Sequence, residues 1–216
     1  MPADLLLLSA YMPRLLEGVA ITAEVCVIAI TAGMILGFVV ALLRRIRFPP
    51  VRWLVVGYVE VLRGTPLLIQ LFLLYYGGPA FGITLDAVPA GIIGLLLYTS
   101  AQFSEIVRAS FTAVPAGQIE AARLLGLSRL QAFWHVQFRQ VALLTIPPSA
   151  NQAISILKDS SVLSVITVPE ITFETGRMVN ETFSVTAPYL FLALSYWAMV
   201  IVLSAGARRL ESSIPR

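Results

Sequence analysis

The chain has 216 residues, of which 58% are apolar and only 12% are charged, whereas soluble domains carry about 25% charged residues. Apolar runs of about 20 residues recur along it, and that is the length a helix needs to cross a bilayer. The alternating segments of roughly ten residues that build membrane barrels are missing. The composition therefore excludes an ordinary soluble domain and predicts an all-α, polytopic membrane protein with one domain over residues 1–216.

The N-terminal segment has no basic residues before its apolar part, so it does not predict a cleaved signal peptide. It predicts a short interfacial helix that ends near Pro13, followed by five membrane spans. The predicted spans, in chain order, are residues 18–43, 54–76, 87–107, 147–168 and 187–207. In span one, Gly33 and Gly37 are four residues apart, and this spacing of small residues allows another helix to approach closely.

The arginines are distributed unevenly between the two sides of the five-span arrangement. The links after spans one and three and the tail after span five contain eleven arginines, and the opposite side contains two. The eleven are Arg44, Arg45, Arg47, Arg52, Arg108, Arg123, Arg129, Arg139, Arg208, Arg209 and Arg216; the two are Arg14 and Arg177. Because basic links stay in the cytoplasm, the N-terminus is expected outside and the C-terminus inside. The arginines are interpreted as topology anchors, and no nucleic-acid partner is expected.

Span two carries unusual residues for a membrane helix: a charge, a glycine, a hydroxyl and a proline interrupt the stretch VEVLRGTPLLIQLFLLYY. Span four is interrupted by the polar sequence KDSS. Counted from the predicted cytoplasmic ends, Thr65 and Lys158 each lie about 16 Å deep at 1.5 Å per residue, close to the midplane of the bilayer. Such groups are tolerated where they line a shared cavity. Interrupted spans therefore predict a solute site.

The link between spans three and four is too polar to cross the membrane, and its coupling segment is placed at about residues 115–140. A helix is predicted from Gln118 to Leu125, with Glu120 paired to Arg123 across one turn. Gly126 is placed to end that helix in the left-handed conformation. The Ser-x-x-Gln pattern that starts at Ser128 predicts a capping box and a second helix. A simple amphipathic connector is the alternative interpretation.

The sequence GQIEAARLLGLS in this segment resembles the EAA motif of ABC importer permeases. The segments RGTPLLIQLF, SEIVRASFTAVPAGQIEAARLLGLS, PPSANQ and LKDSSVLSVI resemble, in this order, segments of the polar amino acid permeases. The similarity extends over about residues 15–211. The chain departs from the usual family pattern at Arg139, where proline is common, at Gln102, where tyrosine is common, and at Ala109 and Ser110, where two glycines are common.

The resemblance implies a permease domain of five transmembrane helices in a bacterial inner membrane, with a cytoplasmic coupling loop between spans three and four. It implies a pair of ABC ATPase subunits, a second permease that is the same or a related chain, an extracytoplasmic amino-acid-binding protein and membrane lipid as partners. Glu120, Ala121, Ala122 and Gly126 match the motif that seats in the ATPase. No cofactor is expected on this chain, because ATP and Mg²⁺ would be used by the partner ATPase.

Motifs for catalysis are missing from the sequence. Lys158 is the single lysine and follows ISIL, so the chain has no P-loop. His135 and Cys26 are the single histidine and cysteine, so a zinc site is not expected, and no G-x-S-x-G elbow occurs. The chain is therefore predicted to be a permease and not an enzyme.

A stand-alone secondary transporter or channel is the alternative from another functional class. In that alternative, carboxylates and the lysine within the spans would form an ion relay. These residues are Glu24, Glu105, Lys158 and Asp159. Secondary transporters usually contain an internal repeat, and the two halves of this chain show no convincing self-similarity.

The predicted solute site consists of five residues in three spans. Thr65 and Gln70 would offer hydrogen bonds to the substrate, and Asp159 would hold its α-ammonium group with Ser160 nearby. Glu24 would add a second negative charge, which favours a cationic substrate such as arginine, lysine or histidine. Glutamine or glutamate is the alternative substrate. In the structural alternative, Lys158 and Asp159 would only pair with Glu60 or Arg63 and stabilise packing.

Overall fold

A computed structural model describes residues 2–46 and 48–212 of the chain, and within these ranges it contains helices and no strands. Arg47 and Arg216, two of the arginines used to predict the orientation, lie outside the described residues. Three of the described helices are long and apolar enough to cross a membrane, and a bent pair of helices counts as a fourth candidate. The all-α, polytopic prediction is confirmed, whereas the count of five spans is not.

The first helix, α1, extends without a break over Pro2–Leu43. The predicted short interfacial helix is therefore wrong, because Pro13 lies inside α1 and the helix continues through it. A proline removes one backbone hydrogen bond and clashes with the preceding turn, but the 30 residues that follow it are apolar enough to maintain the helix. At 1.5 Å per residue α1 is about 63 Å long, twice the thickness of the hydrocarbon core. Its end at Leu43 matches the predicted end of span one.

The predicted second span is broken into two parts. Helix α2 covers Pro49–Gly64, helix α3 covers Leu67–Phe72, and a π-helical turn at Leu73–Gly77 and a 3₁₀ turn at Gly78–Phe81 extend α3. The axes of the two parts differ by 110°. The bend follows Thr65, and the residues from Leu54 to Gly64 lie in the unbroken α2, so the depth calculated for Thr65 stays a prediction. The predicted interruption at RGTP is itself confirmed.

Helix α4 covers Ala87–Ala113 and is the central helix of the fold. It begins where span three was predicted and continues six residues further. The glycines of α1 face it: a Cβ on Gly33 would lie 2.6 Å from Thr99 Cβ, and one on Gly37 would lie 2.7 Å from Ser100 O. The contacts advance in the same direction along both helices, so α1 and α4 are parallel. The sequence predicted close helix packing here, and the structure identifies α4 as the partner.

The segment between α4 and α7 contains two short helices. Helix α5 covers Ala116–Leu124 and begins two residues before the predicted start, and α6 covers Arg129–Ala132. The capping box at Ser128 is confirmed: Gln131 N donates to Ser128 Oγ at 3.2 Å, and Ser128 N donates to Gln131 Oε1 at 2.9 Å. The predicted ion pair between Glu120 and Arg123 is wrong, because both exposed side chains lack an ion-pair partner among the described residues.

The predicted fourth span has different limits in the structure. A π-helical turn at Phe133–Phe138 joins α6 directly to α7, which covers Arg139–Asp159 and contains Pro147 and Pro148 in its interior. The predicted start at Pro147 is therefore wrong, since helical structure already exists before it. After α7 the chain tightens into a 3₁₀ helix over Ser160–Ile166. Helix α7 is 21 residues long, but it is not among the described helices that are apolar enough to cross a membrane.

Two further helices complete the described chain. Helix α8 covers Ile171–Thr182 and was not predicted, and α9 covers Thr186–Ser212, close to the predicted span five. The main apolar core lies where α1, α3, α4, α7 and the 3₁₀ helix meet, around Val25, Leu71, Leu95 and Ile156. This core places the break at RGTP and the KDSS sequence on neighbouring parts of one packed unit.

Candidate functional site

The break between α2 and α3 follows from the sequence RGTP. Pro66 has no N–H and disfavours helical dihedrals in the residue before it, and Thr65 is accordingly extended at φ −116° and ψ 145°. Pro66 is also outside the helical region at ψ 139°. Two consecutive extended residues redirect the chain and leave the last carbonyl groups of α2 without helical partners.

Gln70 supplies partners for those carbonyl groups. Its Nε2 donates to Leu62 O at 2.8 Å, to Thr65 O at 3.0 Å and to Thr65 Oγ1 at 3.0 Å, while Thr65 Oγ1 donates to Val61 O at 2.8 Å. Because all three partners of Nε2 are acceptors, the opposite orientation of the amide would bring its oxygen against three oxygens. The structure thus brings Thr65 and Gln70 together, as the sequence predicted.

The other half of the Gln70 amide has no partner. Its Oε1 is buried and accepts no hydrogen bond within the described part of the chain. A buried acceptor without a partner costs about 1–3 kcal/mol. Thr65 and Gln70 also line a cavity of about 250 Å³, together with apolar residues of α2, α3 and α4. A free acceptor beside a cavity is a feature expected of a binding site.

The KDSS sequence contributes less direct contact to this site than predicted. Ser160 is buried and its hydroxyl donates to Leu157 O at 2.8 Å, Asp159 is partly buried, and Lys158 is exposed. Neither Lys158 nor Asp159 forms an ion pair or hydrogen bond with Thr65, Gln70, Glu60 or Arg63 in the described structure. The structure therefore places KDSS near the core but does not join it to RGTP, and the packing pairs of the structural alternative do not form.

Glu24 is exposed on α1 and does not line the cavity of Thr65 and Gln70. It lies seven residues after Glu17, which is also exposed, so both carboxylates are on one face of α1. The structure therefore does not bring Glu24 to the other predicted site residues within a single chain.

A charged cluster that the sequence did not predict lies next to the break. Glu105 accepts a hydrogen bond from Arg44 at 2.7 Å, contacts its neighbour Arg108, and has Arg63 NH1 at 3.9 Å. Arg63 also donates to Gln102 at 3.4 Å. The end of α1, the end of α2 and the middle of α4 are thus connected through one carboxylate. The sequence placed Glu105 in a possible ion relay, but two of its arginine partners, Arg44 and Arg63, come from segments that only folding brings to it.

A second polar cluster surrounds Glu170 at the start of α8. Its carboxylate accepts hydrogen bonds from Thr172 N and Phe173 N, both at 2.9 Å, and from Tyr196 OH at 3.3 Å. Glu170 is 1% exposed, and the carboxylate satisfies the free N–H groups of the helix start. Sequence reasoning missed it because α8 was not predicted.

The coupling motif ends in a Schellman turn. Leu127 N donates to Ala122 O at 3.2 Å and Gly126 N to Arg123 O at 3.1 Å, which is the hydrogen-bond pattern of that motif. Gly126 has φ +89°, so the predicted left-handed conformation is confirmed. Of the motif residues, Ala122 is buried within the chain, while Glu120, Ala121 and Gly126 are exposed.

Two large apolar side chains beside the motif are also exposed. Leu124 is 89% exposed and Leu125 is 81% exposed. Exposed apolar groups next to a rigid helical turn are typical of a surface that contacts another protein. Helix α5 and the turn that follows it therefore have the exposed apolar surface expected of a docking element.

Comparisons with known proteins identify the family. The family model described as "Binding-protein-dependent transport system inner membrane component" matches residues 29–216. The chain is 36% identical to the "Probable glutamine ABC transporter permease protein GlnM" of Bacillus subtilis over 93% of both chains. It is 35% identical to the "L-cystine transport system permease protein TcyB" of the same species, over 96% of this chain and 89% of the relative.

A solved structure agrees with these relatives. The "Crystal structure of an amino acid ABC transporter with histidines" aligns with a TM-score of 0.90 and 33% identity, over 96% of this chain and 97% of that one. Relatives with these names are permease subunits, and ATP hydrolysis belongs to a separate ATPase subunit. The chain therefore belongs to the family of inner membrane components of binding-protein-dependent transport systems, as an amino-acid ABC transporter permease.

Proposed function

We propose that this permease moves polar amino acids, and cationic ones by preference, by alternating access driven by ATP hydrolysis in its partner subunit. The observation that carries the proposal is the break between α2 and α3. There, Thr65 and Gln70 form a polar turn inside an apolar segment, beside a cavity and with one free amide oxygen. A hydrogen-bond donor on a polar substrate would satisfy this acceptor.

The carboxylates of the chain support a cationic substrate. Asp159 would receive the α-ammonium group with Ser160 nearby, and Glu24 would face the cationic side chain from α1 once a second permease completes the pathway. The solved relative that is described with histidines supports this class of substrate. The relative named for glutamine supports the alternative, in which glutamine or glutamate is the substrate.

The proposal includes the partners that such a permease requires. We infer a pair of ATPase subunits, which would contact Glu120, Ala121 and the exposed leucines beside Gly126. We also infer a second permease subunit and an extracytoplasmic amino-acid-binding protein. ATP and Mg²⁺ would be bound by the ATPase subunits and not by this chain. The N-terminus would lie outside and the C-terminus in the cytoplasm.

The substrate site is tested in the assembled transporter, reconstituted in vesicles, with Thr65→Val and Asp159→Asn. Each substitution removes one polar group and little volume. Because a hydrogen bond to a charged group contributes about 1.5–3 kcal/mol, each is expected to weaken substrate affinity roughly tenfold or more.

Thr112→Val is a matched control, since Thr112 makes the same type of bond to the carbonyl four residues earlier, to Arg108 O at 3.0 Å. Unchanged affinity in both test variants would reject the site and leave RGTP as a packing feature. The family assignment would stand in that case.

A further inference from the structure

An apolar cleft of about 700 Å³ lies between α1, α4, α7 and α9, apart from the cavity at RGTP. Its walls include Met34, Phe38, Phe103, Phe138, Ile146 and Leu210. The two hydroxyl groups in its lining are already used, because Thr145 donates to Val141 O and Ser149 donates to Thr145 O. No ionisable side chain lines the cleft. An amino acid, with its two charged groups, would find no partner there.

Aromatic rings connect one end of this cleft to an arginine. Phe138, in the cleft wall, has its ring centroid 6.1 Å from that of Phe133, and Phe133 stacks on Phe111 at 6.3 Å. The guanidinium group of Arg45 lies 4.2 Å from the centroid of Phe111. An arginine stacked on a ring keeps its in-plane N–H groups available for oxygens. Arg45 therefore presents hydrogen-bond donors at the far end of a row of three rings that starts in the cleft wall.

A second arginine lies at the same end. Arg139 is the first residue of α7, between Phe138 and Val141, which both line the cleft. Its position along the helix places it beside the cleft-facing side. Arg45 and Arg139 are both exposed, and neither has a carboxylate within 4.0 Å in the part of the chain that the structure describes. The nearby carboxylate of Glu105 is engaged by Arg44 and Arg108.

We propose that the cleft is a binding site for an anionic phospholipid, with an acyl chain between the helices and the phosphate held by Arg45 and Arg139. Apolar cavities do not retain water, so a hydrocarbon chain is the occupant that the cleft walls favour. Basic residues at the membrane surface attract anionic headgroups, and aromatic side chains such as those of this cluster are common at the headgroup region. The apolar cleft thus matches the acyl chain of a lipid, the aromatic rings match the boundary between its chain and its headgroup, and the two arginines match its phosphate.

The test is lipid retention by the assembled transporter. The complex is reconstituted in nanodiscs with equal parts of phosphatidylglycerol and phosphatidylethanolamine, released in detergent, and analysed by native mass spectrometry. The wild type is expected to retain phosphatidylglycerol in preference. Because each arginine near the surface adds several-fold to the binding of an anionic lipid, Arg45→Gln with Arg139→Gln is expected to lower that retention roughly tenfold or more.

Three further variants keep the result interpretable. Arg208→Gln is the matched control and is expected to leave lipid retention unchanged. Arg208 lies between the cleft residues Gly206 and Leu210 in sequence, but it is on the opposite side of α9. Lysine at both positions 45 and 139 preserves the charge and is expected to restore retention. Ala142→Phe fills the cleft and is expected to reduce retention of both lipids.

Equal retention of the two lipids by the wild type would overturn the proposal. So would undiminished phosphatidylglycerol in the double glutamine variant. A cleft that is sealed by the second permease subunit would retain neither lipid, which is also contrary to the proposal.

Discussion

Gln70 acts as a side-chain cap at the point where the second predicted span breaks. One amide nitrogen satisfies two backbone carbonyl groups and a hydroxyl group, which stabilises a turn that would otherwise leave polar groups exposed to an apolar environment. The same side chain offers its free oxygen beside the cavity. At the scale of single residues, the structural and the proposed binding contributions of Gln70 are therefore linked.

The proposed preference for cationic substrates can be tested at Glu24. Glu24→Gln removes a negative charge with almost no change in shape, so uptake of arginine, lysine or histidine is expected to decrease roughly tenfold or more while uptake of glutamine changes little. The measurement is competitive uptake in vesicles. Glu17→Gln, on the same exposed face of α1, is the control and is expected to have no such selective effect. An equal decrease for both substrate classes would make Glu24 a structural residue.

Position 126 requires glycine because of its backbone conformation, and not because a side chain would lack room there. A Cβ at this position meets no atom within 4 Å, but φ is +89°, so a β-branched residue costs about 1–2 kcal/mol or more. Gly126→Val is expected to abolish uptake and substrate-stimulated ATPase activity while the chain still inserts in the membrane. Gly126→Asn is the control, because asparagine tolerates the left-handed region. Normal ATPase stimulation in the valine variant would contradict a coupling function.

At the scale of helices, Glu105 connects three elements that are distant in sequence. Arg44 follows α1, Arg63 is near the end of α2, and Arg108 is one turn further along α4. The carboxylate and Arg44 are largely buried, at 20% and 14% exposure. Removing one partner from a buried charge cluster leaves the others without compensation. The cluster therefore fixes the orientation of α2, and with it the RGTP break, relative to α4.

Glu105→Gln is expected to destabilise the permease. Loss of the partner from a buried ion pair costs about 3–5 kcal/mol, and the partial exposure of this cluster places the expected loss near the lower value. The measurement is the midpoint of thermal unfolding of the purified complex. Glu60→Gln is the control, because Glu60 is exposed and has no ion-pair partner among the described side chains. Equal midpoints for both variants would show that the cluster does not stabilise the fold.

At the scale of the whole molecule, the parallel packing of α1 against α4 constrains the topology. Two parallel spans require that the chain between them returns to the starting side of the membrane. The bent α2 and α3 pair and its 3₁₀ turn provide that return. The arrangement agrees with the predicted order, in which spans one and three cross in the same direction. The arginine distribution predicts which face lies outside and which lies in the cytoplasm.

Fusions to alkaline phosphatase, which is active only outside the cytoplasm, test this assignment. Fusions after Pro79 and after Thr186 are expected to be active, and a fusion after Gln118 is expected to be inactive, because the coupling segment should face the cytoplasm. The amount of fusion protein, measured by immunoblot, is the control for expression. The reverse pattern of activity would show that the proposed orientation is inverted.

Several structural features could be predicted from the local chemistry of the sequence. The break at RGTP, the left-handed Gly126, the capping box at Ser128 and the end of α1 at Leu43 each depend on residues within one or two turns. Proline, glycine and side-chain caps act on the backbone beside them. For this reason the sequence by itself determined the helical class of the protein, its membrane character and the positions of its main interruptions.

Features that depend on contacts between distant segments became known only from the tertiary structure. It showed that α1 continues through Pro13, that the second predicted span bends by 110°, and that α8 begins at a buried Glu170. It also brought Arg44 and Arg63 to Glu105 and left Glu24 away from Thr65 and Gln70. A hydrophobic pattern sets the length and type of an element, but the angle between elements and the meeting of remote side chains follow from packing, in which the whole chain participates.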